Sequence, residues 1–223
     1  MPNIDIYRGR DPRDVPTYSI RETASYLRLP PTTLREWVSG PARVIQLAAG
    51  RPPLLSFWNL VEAYVLAALR RRHQVPLQRV RKALRFLERE LDTERPLIEQ
   101  EFLTDGLDLF VDYYGKLVNA SRAGQTEIRS LLEASLERVE RDPSGLAERL
   151  FPWAREPDEP REVELDPRRA FGKLVVAGTG IPTAVIAERL RAGDTLEHLA
   201  RDYHLKLNQV GAALRWELGA QVH

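Results

Sequence analysis

Thr32, Thr33, Arg35 and Glu36 are polar residues gathered in one short stretch, PTTLREWV, whose Leu34 and Trp37 repeat at helical spacing. Hydroxyls and a guanidinium presented from the start of a helix can hydrogen-bond base edges and phosphates. Lys206, Asn208, Gln209 and Arg215 form a similar exposed set near the C-terminus. Arg70, Arg71 and Arg72 at one helix end, and Arg79, Lys82 and Arg85 on the next helix, are cations suited to phosphate contacts. Gly178-Thr179-Gly180 lacks both a GxGxxG spacing and a P-loop lysine, so it reads as a tight turn rather than a phosphate cradle. His73, His198, His204 and His223 have no partnering ligands at a familiar spacing, and the chain has no cysteine. No nucleophile with its base and no paired carboxylates stand out. The chemistry is that of a binder of DNA, with no catalytic residue, cofactor or metal expected.

Short helices must position these groups. Ser19 with Glu22 is a capping box, and Ile20, Ala24 and Leu27 follow at helical spacing. Pro30 and Pro31 then force a turn before TTLREWV, which completes a helix-turn-helix with Leu34 and Trp37 inward. ARVIQLAAGRPPLLSF predicts two short strands around a Gly-Arg-Pro-Pro turn, a wing. FWNLVEAYVLAALRRRH and LQRVRKALRFLEREL predict two longer helices.

Between Arg95 and Ala120, Thr104-Asp105-Gly106 and Tyr114-Gly115-Lys116 read as turns separating β-prone runs, which predicts a hairpin or meander. A helix opens at Gln125, with Ile128, Leu131, Leu132, Ser135, Leu136 and Val139 as its buried stripe. Phe151 and Trp153 are packing anchors, and AREPDEPREVE is a linker. Val163 to Leu165 and the run from Phe171 to Thr183 are extended. AVIAERLRAG follows as a helix, then TLEHLARDYH, capped by Asp194 with Glu197, and LKLNQVGAALRWEL. Ala200, Leu205, Val210 and Leu214 give the last pair the core spacing of a second helix-turn-helix.

The predicted fold is therefore mainly α with small β-hairpins (α+β): a winged helix-turn-helix over 1–93, an acidic hairpin and helix connector over 94–155, and a helical helix-turn-helix-like domain over 156–223. The net charge of +1 conceals segregation. Residues 1–93 carry +7, residues 94–165 carry −8 and residues 166–223 carry +2. A basic N-terminal part suits a polyanion, whereas the acidic middle suits a basic protein surface. The opening MPNIDIYRGRDPRD has no signal-peptide core and no apolar run approaches a membrane span, so a cytoplasmic protein is expected.

The N-terminal order of helix-turn-helix, wing and two helices, with the pattern SI.E.A..L.L...TLR.W, resembles the DNA-binding head of MerR-type regulators. FGKLVVAGTGIPTAVIAERLRAGDTLEHLARDYHL, the VGAALRWE segment, TDGLDLFVDYYGKLVNASRAGQ and RLFPW resemble a bacterial and archaeal family regarded as VapB-type antitoxins and often encoded beside PIN-like ribonucleases. Leu174 after Gly172-Lys173, and Lys206-Leu207 at the start of the last helix, depart from that family's usual residues. The resemblance implies an antitoxin that neutralises a PIN-like ribonuclease toxin and represses its own operon by binding its operator as a homodimer. The alternative is a stand-alone MerR-like transcription regulator.

Overall fold

The computed structural model describes residues 7, 9–41, 43–72, 77–153, 156 and 158–219, apart from the side chains of Arg71, Arg72 and Leu103. The chain starts its first unit with β1 (Tyr18–Ser19), α1 (Ile20–Tyr26) and α2 (Pro31–Ser39). Ser19 Oγ accepts the Glu22 N–H at 3.1 Å, which fixes the start of α1. Glu22 does not complete the reciprocal half of a capping box; its carboxylate accepts from the Tyr26 hydroxyl and pairs with Lys173.

The expected wing is not a hairpin. Residues 43–53 form no strand among those described, and the only extended pair here is β1 with β2 (Leu54–Leu55), antiparallel with Tyr18 opposite Leu55. Pro52 and Pro53 have no N–H to give to a ladder. Val44 and Ile45 spend their N–H groups on the Trp37 carbonyl, at 2.9 and 3.1 Å, so this segment straps across the end of α2.

α3 (Phe57–Arg72) is the centre of the molecule. Leu60, Val61, Ala63 to Leu69 are all buried, so within this stretch only Glu62 is part-exposed. Ser56 and Asn59 cap it reciprocally, with Asn59 N–H on Ser56 Oγ and Ser56 N–H on Asn59 Oδ1, both 3.2 Å. α4 (Leu77–Glu90) follows and buries Val80, Ala83, Leu84 and Leu87 along one stripe.

The hairpin expected between 95 and 120 is helical instead. A short 3-10 turn over Pro96–Ile98 leads into a π-helical turn over Phe102–Gly106 and then α5 (Leu107–Val118). The burial of Leu107, Phe110, Val111 and Tyr114 at i, i+3, i+4 and i+7 shows why: the apolar period is helical, and Gly106 and Gly115 sit inside the helices as close-packing positions. Phe86 stacks on Tyr113 at 4.2 Å and ties α4 to α5. Asn119, left-handed at φ 53°, ends α5, and Ser121 caps α6 (Arg122–Leu136). The central hairpin does exist, but after α6: β3 (Val139–Arg141) pairs antiparallel with β4 (Ala147–Leu150).

β5 (Val163–Glu164) pairs with β6 (Val175–Val176), and Leu150 and Leu165 exchange backbone hydrogen bonds at 2.8 and 3.0 Å. α7 (Thr183–Arg191), α8 (Leu196–Asp202) and α9 (Leu207–Gly219) complete the chain. Thr195, not Asp194, caps α8: its hydroxyl accepts the His198 N–H, which leaves Asp194 free to pair with Arg189 at 2.6 Å. A small core of Val176, Ile186, Ala187, Leu199, Val210 and Ala213 holds these helices together. The large core runs from Tyr18 to Leu174 and also takes in Trp216 of α9, with Trp153 buried in it as expected.

Gly172 sits at φ +76°, where a Cβ would collide with the hydroxyl of buried Tyr18. Gly172→Ala should therefore lower stability by at least about 2 kcal/mol, through left-handed strain and displaced packing, and reduce the thermal midpoint by several degrees. Buried Arg13 joins Asp11 and Asp142, each at 2.6 Å, and these contacts, with the Ser144 hydroxyl on Asp142, hold both carboxyls below their ordinary range. Because the folded values are depressed, their contribution is complete above the unfolded carboxylate range near pH 4 and is lost as pH falls below it. Asp142→Asn should flatten that part of the stability profile and cost about 1–3 kcal/mol in urea unfolding.

Candidate nucleic-acid interface

The first turn of α2 carries no side-chain cap, because Pro30 occupies the cap position and Pro31 the first helical one. Its early N–H groups and the positive end of its dipole are left to whatever approaches. Thr32, Arg35 and Glu36 are exposed on this helix, while Leu34 and Trp37 are buried at 0% and 1%. Thr33 departs from expectation: at 8% exposure it is packed inward beside Leu34 and is not on the reader face. The helical period places residue 33 within reach of the buried stripe that also holds Leu34 and Trp37.

The expected phosphate-binding cations do not form one patch around α2. Arg70 is exposed and borders a small apolar recess with Trp37, Leu69 and Val80. The side chains of Arg71 and Arg72, and His73, lie outside the described residues. Arg79, Lys82 and Arg85 are exposed on α4. Arg79 acts electrostatically on Tyr114 of α5, while Arg85 lines a cleft with Arg43 and Glu62. α4 is tied to the far end of α2, since Arg81 Nη1 donates to the Pro41 carbonyl at 3.0 Å. Arg43, exposed on the strap, was not singled out by sequence reasoning, because it stood inside an expected wing strand.

The second reader set is largely committed to the fold. Gln209 Oε1 accepts the Lys206 N–H at 2.9 Å, so these two residues cap α9. Arg215 pairs with Glu162 at 2.8 Å across the module. Asn208 and the Lys206 ammonium remain exposed, beside Leu207, which is 54% exposed at the first position of α9. An exposed leucine there favours an apolar contact over a base edge. The Gly178-Thr179-Gly180 turn closes on itself, with Thr179 Oγ1 donating to the Val176 carbonyl and accepting the Ile181 N–H.

Arg28 is a residue that sequence reasoning missed. It sits in the α1–α2 turn at φ 53°, its guanidinium 4.9 Å from the Trp216 ring centroid and donating to the Trp216 carbonyl. The turn of the first helix-turn-helix is thereby joined to the end of α9. His198 and His204 are exposed, and His198 Nδ1 lies 2.8 Å from Asp194. No group of three or more His, Cys, Asp or Glu among the described residues is placed to hold a metal ion. No helix among them is long and apolar enough to cross a membrane.

Comparison with known proteins bears directly on this arrangement. Residues 16–84 match a family described as "Putative DNA-binding HTH domain", and residues 163–216 match "Protein of unknown function (DUF433)". Over 90% of its length the chain is 30% identical to a protein of Mycobacterium tuberculosis (strain ATCC 25618 / H37Rv) named "Putative antitoxin VapB45", of which it covers 93%. The chain belongs to the VapB45 family. "Uncharacterized protein Rv2308" of the same strain is 25% identical, with 90% of each chain covered. The X-ray crystal structure of Rv2018 from Mycobacterium tuberculosis superposes with a TM-score of 0.73 at 28% identity, covering 90% of this chain and 98% of that one. The VapB45 family relationship covers nine-tenths of the chain, beyond the matched helix-turn-helix family at residues 16–84.

Within α9 the assigned roles predict small, separable effects. Gln209→Ala should lower stability by about 0.5–1 kcal/mol through loss of the cap. Arg215→Ala should cost less than about 1 kcal/mol, as expected of an exposed ion pair, and both are read from urea unfolding midpoints.

Proposed function

We propose that this VapB45-family chain is an antitoxin that binds and neutralises a PIN-like endoribonuclease and represses its own operon by binding DNA. The observation that carries the reading is the relationship to a protein named as an antitoxin over nine-tenths of the chain, with a DNA-binding helix-turn-helix family matched at residues 16–84. α2 is the reading helix. Its open first turn approaches a phosphate while Thr32 and Arg35 reach base edges, and Arg70 and Lys82 supply further cations. α9 is the weaker candidate for DNA, since its cap and its Glu162 pair occupy most of its polar residues. The acidic stretch 94–165 and the C-terminal unit form the toxin-facing part, where negative charge complements a basic RNA-binding rim. Two protomers related by a two-fold axis read a palindromic operator, in the cytoplasm. The functional division follows the three segments 1–93, 94–155 and 156–223.

The test is co-expression of the tagged full chain with the product of the neighbouring gene, followed by a salt-titrated gel shift on the DNA upstream of its own gene. A co-purifying nuclease and a specific, salt-sensitive shift are expected. Arg35→Ala should weaken specific binding about 10- to 100-fold, the scale of one lost base contact, while leaving toxin capture intact. A specific shift with no nuclease partner would leave a MerR-like regulator standing, and a partner with no shift would remove the operator-binding half.

A further inference from the structure

The turn Ala170–Gly172, between β5 and β6, is built against the preferences of its residues. Ala170, Phe171 and Gly172 stand at φ 45°, 54° and 76°, so two residues with side chains take the left-handed backbone that only glycine enters without strain. No packing offsets that strain. Phe171 is 77% exposed, the most exposed large apolar residue among those described, in a chain that buries Phe57, Phe102 and Phe110. The turn is nonetheless held firmly on both flanks. The Gly172 N–H donates to the Arg169 carbonyl at 2.8 Å and the Lys173 N–H to the Ala170 carbonyl at 3.1 Å. The Arg169 guanidinium lies 3.2 and 3.4 Å from the carboxylates of buried Glu164 and Asp166, and the Pro167 carbonyl accepts the Tyr7 hydroxyl at 3.0 Å. Gly172 is packed under the Tyr18 hydroxyl. A rigid base therefore carries the aromatic ring into solvent.

Strained backbone fixed by its surroundings, displaying a large apolar side chain, is a feature of contact sites. A ring already held in place loses little freedom when a partner covers it, and it offers about 150–250 Å² to bury. Local chemistry separates the occupants. A phenyl wedge between bases needs free cations beside it to hold phosphates, but here Arg168 is paired with Glu148, Arg169 with Glu164 and Lys173 with Glu22. A second copy of the chain would need a hole of phenyl size. Among the described residues the apolar recess beside Trp37 is about 10 Å³, and the cleft beside α4 is lined by carboxylates and guanidiniums alike. An apolar pocket on a different protein fits the ring and its self-neutralised surroundings. We propose that Phe171 is the anchor by which this chain docks into an apolar pocket of its nuclease partner. The inference rests on the antitoxin reading, and the turn lies where that reading puts the toxin, on the C-terminal unit and against Glu148 of the acidic stretch.

The experiment titrates the purified product of the neighbouring gene into the full chain and into its Phe171→Gly and Phe171→Leu variants, with thermal unfolding, elution volume and the operator gel shift recorded for each. Phe171→Gly should leave the thermal midpoint unchanged or raise it, because glycine relieves the left-handed strain and no packing is lost. The same substitution should weaken nuclease binding about tenfold or more, as loss of an interface anchor does, and Phe171→Leu should weaken it less. Elution volume and gel shift should stay as in the wild type. Nuclease affinity unmoved by Phe171→Gly would overturn the assignment while leaving the antitoxin reading intact, and so would an effect confined to the gel shift or to the oligomeric state. A midpoint lowered by several degrees would show that the ring serves the fold and would also overturn it. A wild-type chain that binds no nuclease removes the antitoxin reading itself, and this anchor with it.

Discussion

Burial of α3 on nearly every side is the constraint from which the rest of the architecture follows. A helix that buries every residue from Leu60 to Leu69 but Glu62 needs neighbours almost all around it. They come from the helix-turn-helix through Trp37 and Leu55, from α4, from α6, and from the β3–β4 hairpin, where Trp58 Nε1 donates to the Ala147 carbonyl at 3.1 Å. Each large aliphatic side chain removed from water contributes about 1.5–3 kcal/mol before entropy is counted, so this helix recruits segments more than a hundred residues apart into one core. It also explains why Glu62 is conspicuous: it is an acid on a helix otherwise given over to packing, kept where a cleft reaches it.

The same core joins the N-terminal helix-turn-helix to the C-terminal helices. The C-terminal helices have a small core of their own, yet Leu174 and Trp216 belong to the large one. Lys173 on Glu22 and Arg28 against the Trp216 ring and carbonyl reinforce the junction, and the Tyr18 side chain packs over Gly172. The α1–α2 turn and the last turn of α9 therefore share a boundary. Any displacement of α9 would be resisted by the α1–α2 turn, through the Arg28 contacts with Trp216.

Strong helical periods in the sequence reported truthfully. α1, α2, α3, α4, α7 and α9 were all legible from apolar spacing and from proline or Ser caps. Where turn residues competed with period, the period won: Thr104-Asp105-Gly106 and Tyr114-Gly115-Lys116 look like loop chemistry, but Leu107, Phe110, Val111 and Tyr114 have a face to bury. At 43–53 the reverse held, since β-prone residues flanking two prolines found no strand to pair with and donated to Trp37 instead. Thr33 was misjudged by a fraction of a turn, which is enough to move a side chain from the surface to the core. The pairing of Arg215 with Glu162 joins residues 53 apart and was not legible from local spacing, whereas the Gln209 side chain on the Lys206 N–H is a local capping contact.

What the sequence determined by itself is local: helix starts and stops, the buried stripe of each amphipathic segment, the uneven distribution of charge, and the absence of cysteine chemistry. These follow from interactions between residues a few positions apart, or from simple counting. The tertiary structure alone decided which cations stand near α2, that Arg215 is taken up by Glu162 and Arg28 by Trp216, and that Glu62 of α3 lines one cleft with residues of α4 and of the strap 43–48. Those facts depend on contacts between distant segments, and a side chain's availability for a ligand is whatever remains after the folded chain has satisfied its own hydrogen bonds and charges.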